Sequence, residues 1–541
     1  MSRIVECVPN FSEGRNKEVI DAIAAAIGST EGCSLLDVDP GPSTNRTVYT
    51  FVGPPEAVVE GALNGARAAS QLIDMSRHTG EHPRLGALDV CPFVPVKNVT
   101  MDDCVDCAKE FGKRLAEELE VPVYLYGEAS EVDYRKAVPQ IRQGEYESLP
   151  QRLEKNEWKP DFGPAEFRPT WGATMAGARK FLIAYNVNIL STKEQAHRIA
   201  LNVREQGRGE DKPGKLKGVQ AIGWYLGEAN MAQVSVNISD FEVTPIHTVF
   251  EEVKKDAEDL NLAICGSQIV GLVPLSALLI SAEYYIEKEE LFLLDNDQKI
   301  RLIIDRLGLQ SFDAFKPKER VIEYMIDDDE MKGPFLGMPL ESFFHAIGGR
   351  TATPGGGSAS AVCATLGSAL ATMVGFLSYG NRKFEHLDKE MRKLLPDLYE
   401  CTKKLMPIVD HDAVAYEDFM LACKLPKDTP EEEERRETAM QTTLKNSALV
   451  PLNLAVTANK AWPAFKRVAE IGNENCISDL QVGARALETG VWGAYYNVMT
   501  NLKDVKDAEF KEKVKTEIEN ELKEAQKSKE EILKLAETRL G

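Results

Sequence analysis

Hydrophobic and polar positions in the N-terminal part of the chain alternate over short runs and recur at helical spacing between them. Ile4-Val5-Glu6-Cys7-Val8 predicts a short strand, and Val19, Ile20, Ile23 and Ile27 line one side of a helix opening near Lys17. Leu35-Leu36-Asp37-Val38 and Thr47-Val48-Tyr49-Thr50-Phe51-Val52 follow as strands, and after Gly53-Pro54-Pro55 a helix runs from Ala57 to Ile73. The same order returns from Lys180. A strand reaches Leu190, the cap-like Ser191-Thr192-Lys193-Glu194 opens a helix to Arg204, Val219 to Leu226 and Gln233 to Phe241 read as strands, and Pro245 to Leu260 as a helix. Apolar runs from Gly86 to Pro95 and from Gly266 to Pro274 both end in Val-Pro and give each half a further strand. The pattern predicts two duplicated βαββαβ halves with helices on one sheet face.

Between the halves, Trp158 through Gly172 is turn-rich and aromatic, and reads as a loop crossing from one half to the other. Asp327-Asp328-Asp329-Glu330-Met331-Lys332-Gly333-Pro334 is an acid run closed by Gly-Pro, the composition of a linker. Beyond it the two-residue alternation fades. Helical spacing covers Leu340 to Ile347, Ser358 to Leu377, Leu387 to Leu421, Pro430 to Thr457, Leu480 to Leu502 and Ala508 to Leu540, a bundle suited to packing on a second copy. These breaks divide the chain into 1–181, 182–326, a linker at 327–334, and an all-α domain at 335–541. The fold class is thus multidomain, a duplicated α+β region followed by a helical domain.

Composition narrows the function classes. Among 541 residues, 64 Lys and Arg against 85 Asp and Glu leave a net charge of −21, which disfavours general nucleic-acid binding while leaving room for a local basic pocket. Ten cysteines are too few for a disulfide framework and lie mostly in apolar runs, as expected of reduced thiols in a cytosolic protein. The pair Cys104-Val105-Asp106-Cys107 has no second pair and no nearby histidine for a zinc site. Met1 to Glu6 lacks the apolar core of a signal peptide. The uncharged stretch from Ala359 to Tyr379 is rich in Ser, Gly, Thr and Ala, and with Gly367, Ala371 and Gly375 it suits a closely packed buried helix better than a membrane span.

Four polar clusters could carry chemistry. His82, in Arg77-His78-Thr79-Gly80-Glu81-His82-Pro83-Arg84, has a side chain that titrates near neutrality, with arginines able to hold carboxylates; the plainer alternative is a surface-loop histidine. Asp37, Asp39 and Gly41 to Arg46 form a second cluster at a strand end, from which an aspartate could orient a histidine. Thr353-Pro354-Gly355-Gly356-Gly357-Ser358 runs into a helix and offers backbone N–H groups to an anion, or is simply a glycine turn; it lacks the Lys of a P-loop. In Val409-Asp410-His411-Asp412-Ala413 at least one polar group must face inward unless the bundle edge runs past all three, and an inward carboxyl of raised pKa could protonate a leaving amine. His197, His247, His345 and His386 lack clustered partners and read as structural, and no metal-ligand spacing stands out.

Val5 to Gly14, Gly41 to Val48, Gly80-Glu81-His82-Pro83-Arg84 and Arg204 to Arg208 resemble the formimidoyltransferase-cyclodeaminase family, and Pro354 to Ser358 with Asp410 to Asp412 resemble its second enzyme. The resemblance spans the whole chain. It implies a bifunctional transferase and ammonia-lyase of histidine breakdown, with polyglutamylated tetrahydrofolate as co-substrate and no metal. One part would move the formimino group of N-formimino-L-glutamate to tetrahydrofolate. The other would cyclise the product to 5,10-methenyltetrahydrofolate with loss of ammonia. It assigns the transferase acid/base to His82, the cyclodeaminase carboxylate to Asp412, and folate binding to Gly163, Pro164, Ala165, Glu166, Phe167, Arg168, Pro169, Thr170, Trp171 and Gly172. It further implies two ferredoxin-like transferase subdomains, a helical second enzyme, a homo-octamer built as a tetramer of dimers, channelled folate, and a cytoplasmic protein associated in part with Golgi and centrosome. Asp39 is the expected partner of His82, and Trp171 and Gly172 are expected to matter more individually than Ala165. The competing reading from another class is an acidic structural adaptor of membranes or filaments, which leaves the His82 and Asp412 clusters unexplained.

Overall fold

The computed structural model describes residues 3–80, 82–209, 211–227, 229–326 and 333–540, so Glu81 and residues 327–332 of the expected linker lie outside the described residues. The chain divides into two units, Ser2–Asp327 and Asp328–Gly541.

In the first unit, Ile4–Cys7 (β1) and Asn10–Phe11 (β2) are two pieces of one strand line, followed by Lys17–Gly28 (α1), Ser34–Gly41 (β3), Arg46–Gly53 (β4), Pro55–Leu72 (α2) and Leu88–Lys97 (β5). β1 and β2 lie between β4 and β5, and β3 flanks β4, all antiparallel. Met101–Leu119 (α3), Val123–Gly127 (β6), Val138–Ile141 (α4), Glu145–Leu153 (α5) and Thr174–Ala178 (β7) extend this half, with β7 parallel to both β5 and β6. The second half comprises Ile183–Leu190 (β8), Lys193–Val203 (α6), Val219–Leu226 (β9), Met231–Ile238 (β10), Ile246–Asp259 (α7), Ala263–Val270 (β11), Leu275–Lys288 (α8), Asn296–Leu307 (α9), Pro317–Arg320 (α10) and Ile322–Met325 (α11). Its sheet runs β11-β8-β10-β9. Numbered within each half, both sheets have the order fourth, first, third, second, so the duplicated βαββαβ pattern is a duplicated ferredoxin-like fold.

Alternation explains which face each strand buries. Ile183, Tyr185, Val187 and Ile189 of β8 share a core with Ile199 and Val203 of α6 and Val249, Phe250 and Val253 of α7, while Asn186 and Asn188 point the other way. In the first half Val5, Cys7, Tyr49, Phe51, Cys91 and Phe93 meet Ile20, Ile23, Leu63 and Ala66, leaving Arg46 and Asp89 for the opposite face.

The Cys104 and Cys107 segment is a helix, α3, capped by Thr100 and Asp103; the two cysteines lie one turn apart on its buried face, where burial pushes both thiols up to about 12. The aromatic segment after Trp158 does not cross between halves. Val123 N–H donates to the Phe162 carbonyl at 3.0 Å, Gly172 bridges Gly86, and Trp171 is buried in the first core, so the chain returns to its own sheet before β8 begins.

The second unit is helical: Leu340–Ile347 (α12), Gly356–Ser378 (α13), Asp388–Leu405 (α14), Ile408–Cys423 (α15), Pro430–Asn459 (α16), Trp462–Ile471 (α17), Ile477–Asn501 (α18) and Ala508–Leu540 (α19). The expected helix from Leu387 to Leu421 is two, broken at Met406-Pro407, where proline has no N–H to continue the ladder. α13 is long and apolar enough to cross a membrane, but half of it is buried within the unit. A Cβ at Gly367 would stand 2.4 Å from the Leu487 amide nitrogen, and one at Gly490 2.6 Å from the Ala364 Cβ, so glycine lets α13 and α18 approach backbone to backbone. α19 buries Val514, Ile518, Leu522 and Ala525 along one stripe.

Candidate active sites

His82 stands in the loop entering β5, on the polar face of the first sheet, and is partly buried. Its Nδ1 lies 2.6 Å from the Pro83 carbonyl oxygen, which can only accept, so Nδ1 carries the proton and the neutral ring keeps its lone pair on Nε2. Burial, followed by the positive charge of Arg46, holds its pKa below the ordinary histidine value; Arg142 adds to this, and the Pro83 carbonyl and Asp89 oppose it.

The carboxylate in this neighbourhood is Asp89, not Asp39. Asp39 is exposed on the edge strand β3 with its backbone opposite Val48. Asp89, fully buried, accepts the Leu85 N–H at 2.7 Å on Oδ1, while Oδ2 takes the Arg142 Nη2 at 2.6 Å and the Arg46 Nη1. The register makes this row: Asn10 pairs with Val48 of β4 and Val90 of β5, and its Oδ1 accepts from Arg46 Nε at 3.2 Å. No local motif in the sequence marks Asp89 or Arg142; the cross-strand register and the α4 crossover bring them in. His78, by contrast, is locked: Nε2 donates to the Asn45 carbonyl at 2.8 Å and Nδ1 accepts from Arg84 Nε at 3.3 Å.

The expected folate segment adjoins this loop. The Ala87 N–H donates to the Trp171 carbonyl at 2.7 Å and the Ala173 N–H to that of Leu85 at 3.1 Å. Gly163 adopts φ +83 with no room for a Cβ beside the Val121 carbonyl. Ala165, Glu166, Arg168, Pro169 and Thr170 are exposed, Pro164 and Phe167 half-buried, and Phe167 packs against Tyr146 with centroids 5.3 Å apart. Trp171 is only 2% exposed and gives its indole N–H to Thr174 Oγ1 at 3.0 Å, and Gly172 is buried with it. These two residues anchor the segment, and its accessible side chains are those before them.

In the helical unit the two motifs singled out in the sequence meet. The Asp412 carboxyl, on α15, lies against Gly357 at the start of α13 so closely that a Cβ there would fall 2.1 Å from its Cγ. Burial raises the Asp412 pKa, opposed by a hydrogen bond from the Ser358 backbone amide. The Ser358 hydroxyl donates to the Val409 carbonyl at 2.7 Å and pins the two helices together. Asp410 has a different role, accepting the Phe335 and Leu336 N–H groups at 2.7 and 3.2 Å. Among the described residues no group of three or more His, Cys, Asp or Glu has metal-binding geometry.

Fold and sites together define a two-module protein, an α/β unit with a histidine set among arginines and a helical bundle with a carboxyl at a helix N-terminus. Family models describing the formiminotransferase domain N-terminal subdomain, the formiminotransferase domain and formiminotransferase-cyclodeaminase match residues 4–179, 184–327 and 339–520. The formimidoyltransferase-cyclodeaminase of Sus scrofa is 60% identical over 539 residues, covering 100% of each chain. The glutamate formimidoyltransferase of Streptococcus pyogenes is 40% identical over 54% of this chain and 95% of its own, and the methenyltetrahydrofolate cyclohydrolase of Methylorubrum extorquens 31% identical over 37% and 97%. The chain belongs to the formimidoyltransferase-cyclodeaminase family.

Proposed function

We propose that the protein carries out two consecutive folate reactions, transfer at His82 and cyclodeamination at Asp412. The observation that carries the first is the His82 tautomer, which leaves Nε2 available as a base in a positively charged pocket. N5 of tetrahydrofolate attacks the amidine carbon of N-formimino-L-glutamate, and the new C–N bond gives a tetrahedral centre. His82 Nε2 takes the N5 proton and returns it to the glutamate nitrogen as that C–N bond breaks, releasing glutamate and 5-formiminotetrahydrofolate. In the second site N10 attacks the same carbon. The Asp412 carboxyl, its pKa raised by burial, carries the proton that N10 loses to the departing nitrogen of the protonated amidine, whose C–N bond then breaks to give ammonia and the 5,10-methenyltetrahydrofolate cation. The segment from Gly163 to Gly172 presents folate to His82, its exposed Ala165, Glu166, Arg168, Pro169 and Thr170 making the contacts.

His82→Ala is expected to abolish transfer while sparing cyclodeamination of supplied 5-formiminotetrahydrofolate, and Asp412→Ala to do the reverse. A coupled assay following methenyltetrahydrofolate absorbance and ammonia separates them, and loss of both activities in either folded variant counts against two sites.

The reading extends to assembly as a homo-octamer, a tetramer of dimers, that passes polyglutamylated folate between sites. Its support is the apolar surface left on the helical unit, where Leu366 is 54%, Leu421 62%, Val482 58% and Tyr496 58% exposed. A cytoplasmic location with a fraction on Golgi and centrosome rests on the family resemblance alone. The adaptor alternative finds no support among the relatives.

A further inference from the structure

Arg46, Asp89 and Arg142 reach the His82 loop from β4, β5 and the end of α4, and their charges do not balance. One buried carboxylate oxygen, Oδ2 of Asp89, serves both guanidiniums, whose side chains are only 10% and 14% exposed. The other oxygen is committed to the Leu85 N–H, which ties the end of the His82 loop to β5. Among the described residues, two cations on one anion leave a charge of +1 beside the histidine. The Arg142 Nε is buried with no hydrogen-bond partner. Arg135 and Arg152 nearby also leave Nε unpaired, but their terminal nitrogens are closed by backbone carbonyls: Glu157 and Lys159 for Arg135, with Asp161 alongside, and Gln143 and Ile141 for Arg152, which also lies 3.6 Å over the Trp158 ring. Those two arginines fasten structure. Among the described residues, the only side-chain or backbone acceptors of Arg46 and Arg142 are Asp89 and, for Arg46, Asn10.

We propose that Arg46 and Arg142 form the subsite that holds a carboxylate of the formimino donor, with Asp89 positioning both guanidiniums and the His82 loop. This rests on the transfer reaction assigned above to His82. The donor has carboxylates at one end and, when protonated, a cationic amidine at the other. A cationic pair attracts the first and repels the second, so it admits the donor in one sense along the sheet face. Arginine rather than lysine suits the task, because a fork locked on Asp89 keeps its remaining N–H groups in a fixed direction. The same charges act on the histidine. The groups facing it are Arg46 from β4, Arg142 after α4, Asp89 from β5 and the Pro83 carbonyl of its own loop, and the two cations outweigh the one carboxylate. Donor binding and His82 titration are therefore linked: a carboxylate on the arginines offsets their pull and makes the histidine a stronger base once substrate is in place.

The test is steady-state kinetics on the full chain with N-formimino-L-glutamate and tetrahydrofolate. Arg142→Gln is expected to raise the donor KM by about 10- to 100-fold, the worth of a charge-assisted hydrogen bond, while the tetrahydrofolate KM stays within about twofold. With one cation gone, the acid limb of kcat/KM should move up toward the ordinary histidine value, a change that loss of a merely structural clamp would not produce. Arg142→Lys keeps the charge but not the fork, so it should give an intermediate donor KM and leave the limb in place. Far-UV circular dichroism and the tetrahydrofolate KM of transfer report folding of the α/β unit in the same samples, and where Arg142→Gln fails that check, the donor KM of Arg142→Lys decides. An unchanged donor KM, or a fall in kcat with neither KM nor acid limb moved, overturns the subsite while leaving the transfer function standing. Absence of transfer by the unsubstituted chain overturns that function, and the subsite with it.

Discussion

The transfer proposed for His82 needs a neutral ring when N5 loses its proton, and the surroundings of the histidine favour that form. Burial and Arg46 destabilise the protonated ring, so the folded-state pKa lies below 6.5. Below that pKa the base is protonated and silent; above it the base is free, so the transfer rate rises with pH and levels off before neutrality. The expected pH profile of kcat/KM has its acid limb under pH 6.5, with more than half of the plateau value retained at pH 6.5. A limb centred above that pH would mean that the carboxylate of Asp89, not the arginines, dominates the site. At this scale the sequence singled out His82 and Asp412 as candidates but misplaced a neighbour of the first. Asp39 lies close in sequence to Arg46, yet β3 is an edge strand, and the carboxylate that reaches the site is 43 residues from Arg46, brought there by strand pairing.

A helix end and a helix side make the second site, and glycine is what lets them touch. Gly357 stands in the first turn of α13, where backbone N–H groups have no intrahelical partner, and the Ser358 amide is turned toward Asp412. Burial raises the carboxyl pKa and the amide lowers it, leaving it raised. A methyl group at Gly357 would have to displace that carboxyl. Gly357→Ala is therefore expected to cut cyclodeaminase turnover at least about tenfold, a shift of about 1.4 kcal/mol in the barrier, with transfer unchanged. The two activities measured on one preparation check it, and full cyclodeaminase activity would show that Asp412 need not sit against this turn. Elements with strong periodicity, such as β8, α6, α13 and α19, were legible from their residues alone. β6 and β7 were not, because a short strand between glycine- and proline-rich turns shows no pattern until β7 pairs with β5 and β6 with β7. The family resemblance places Trp171 in the folate segment, and pairing with the first half buries its side chain in that core.

At the scale of the whole molecule, two units carry separate chemistry, and the helical one leaves leucine, valine and tyrosine side chains of α13, α15 and α18 in contact with solvent. A second copy of the chain is the partner that such a surface suits. Val482→Glu and Tyr496→Glu are each expected to lower the assembly state, seen as a smaller mass by light scattering at unchanged helicity; an unaltered mass from both would place the contacts elsewhere. The amino-acid pattern by itself determined the duplicated βαββαβ units, the helical second module and the polar clusters on which the chemistry falls, because strand alternation, helical spacing and turn residues act locally. The tertiary structure alone decided that Asp89 and Arg142 join His82, that Gly357 closes on Asp412, and that the Trp171 side chain is buried in the first core. Each of these pairings joins residues far apart along the chain, and only register, crossover and core packing bring them within reach.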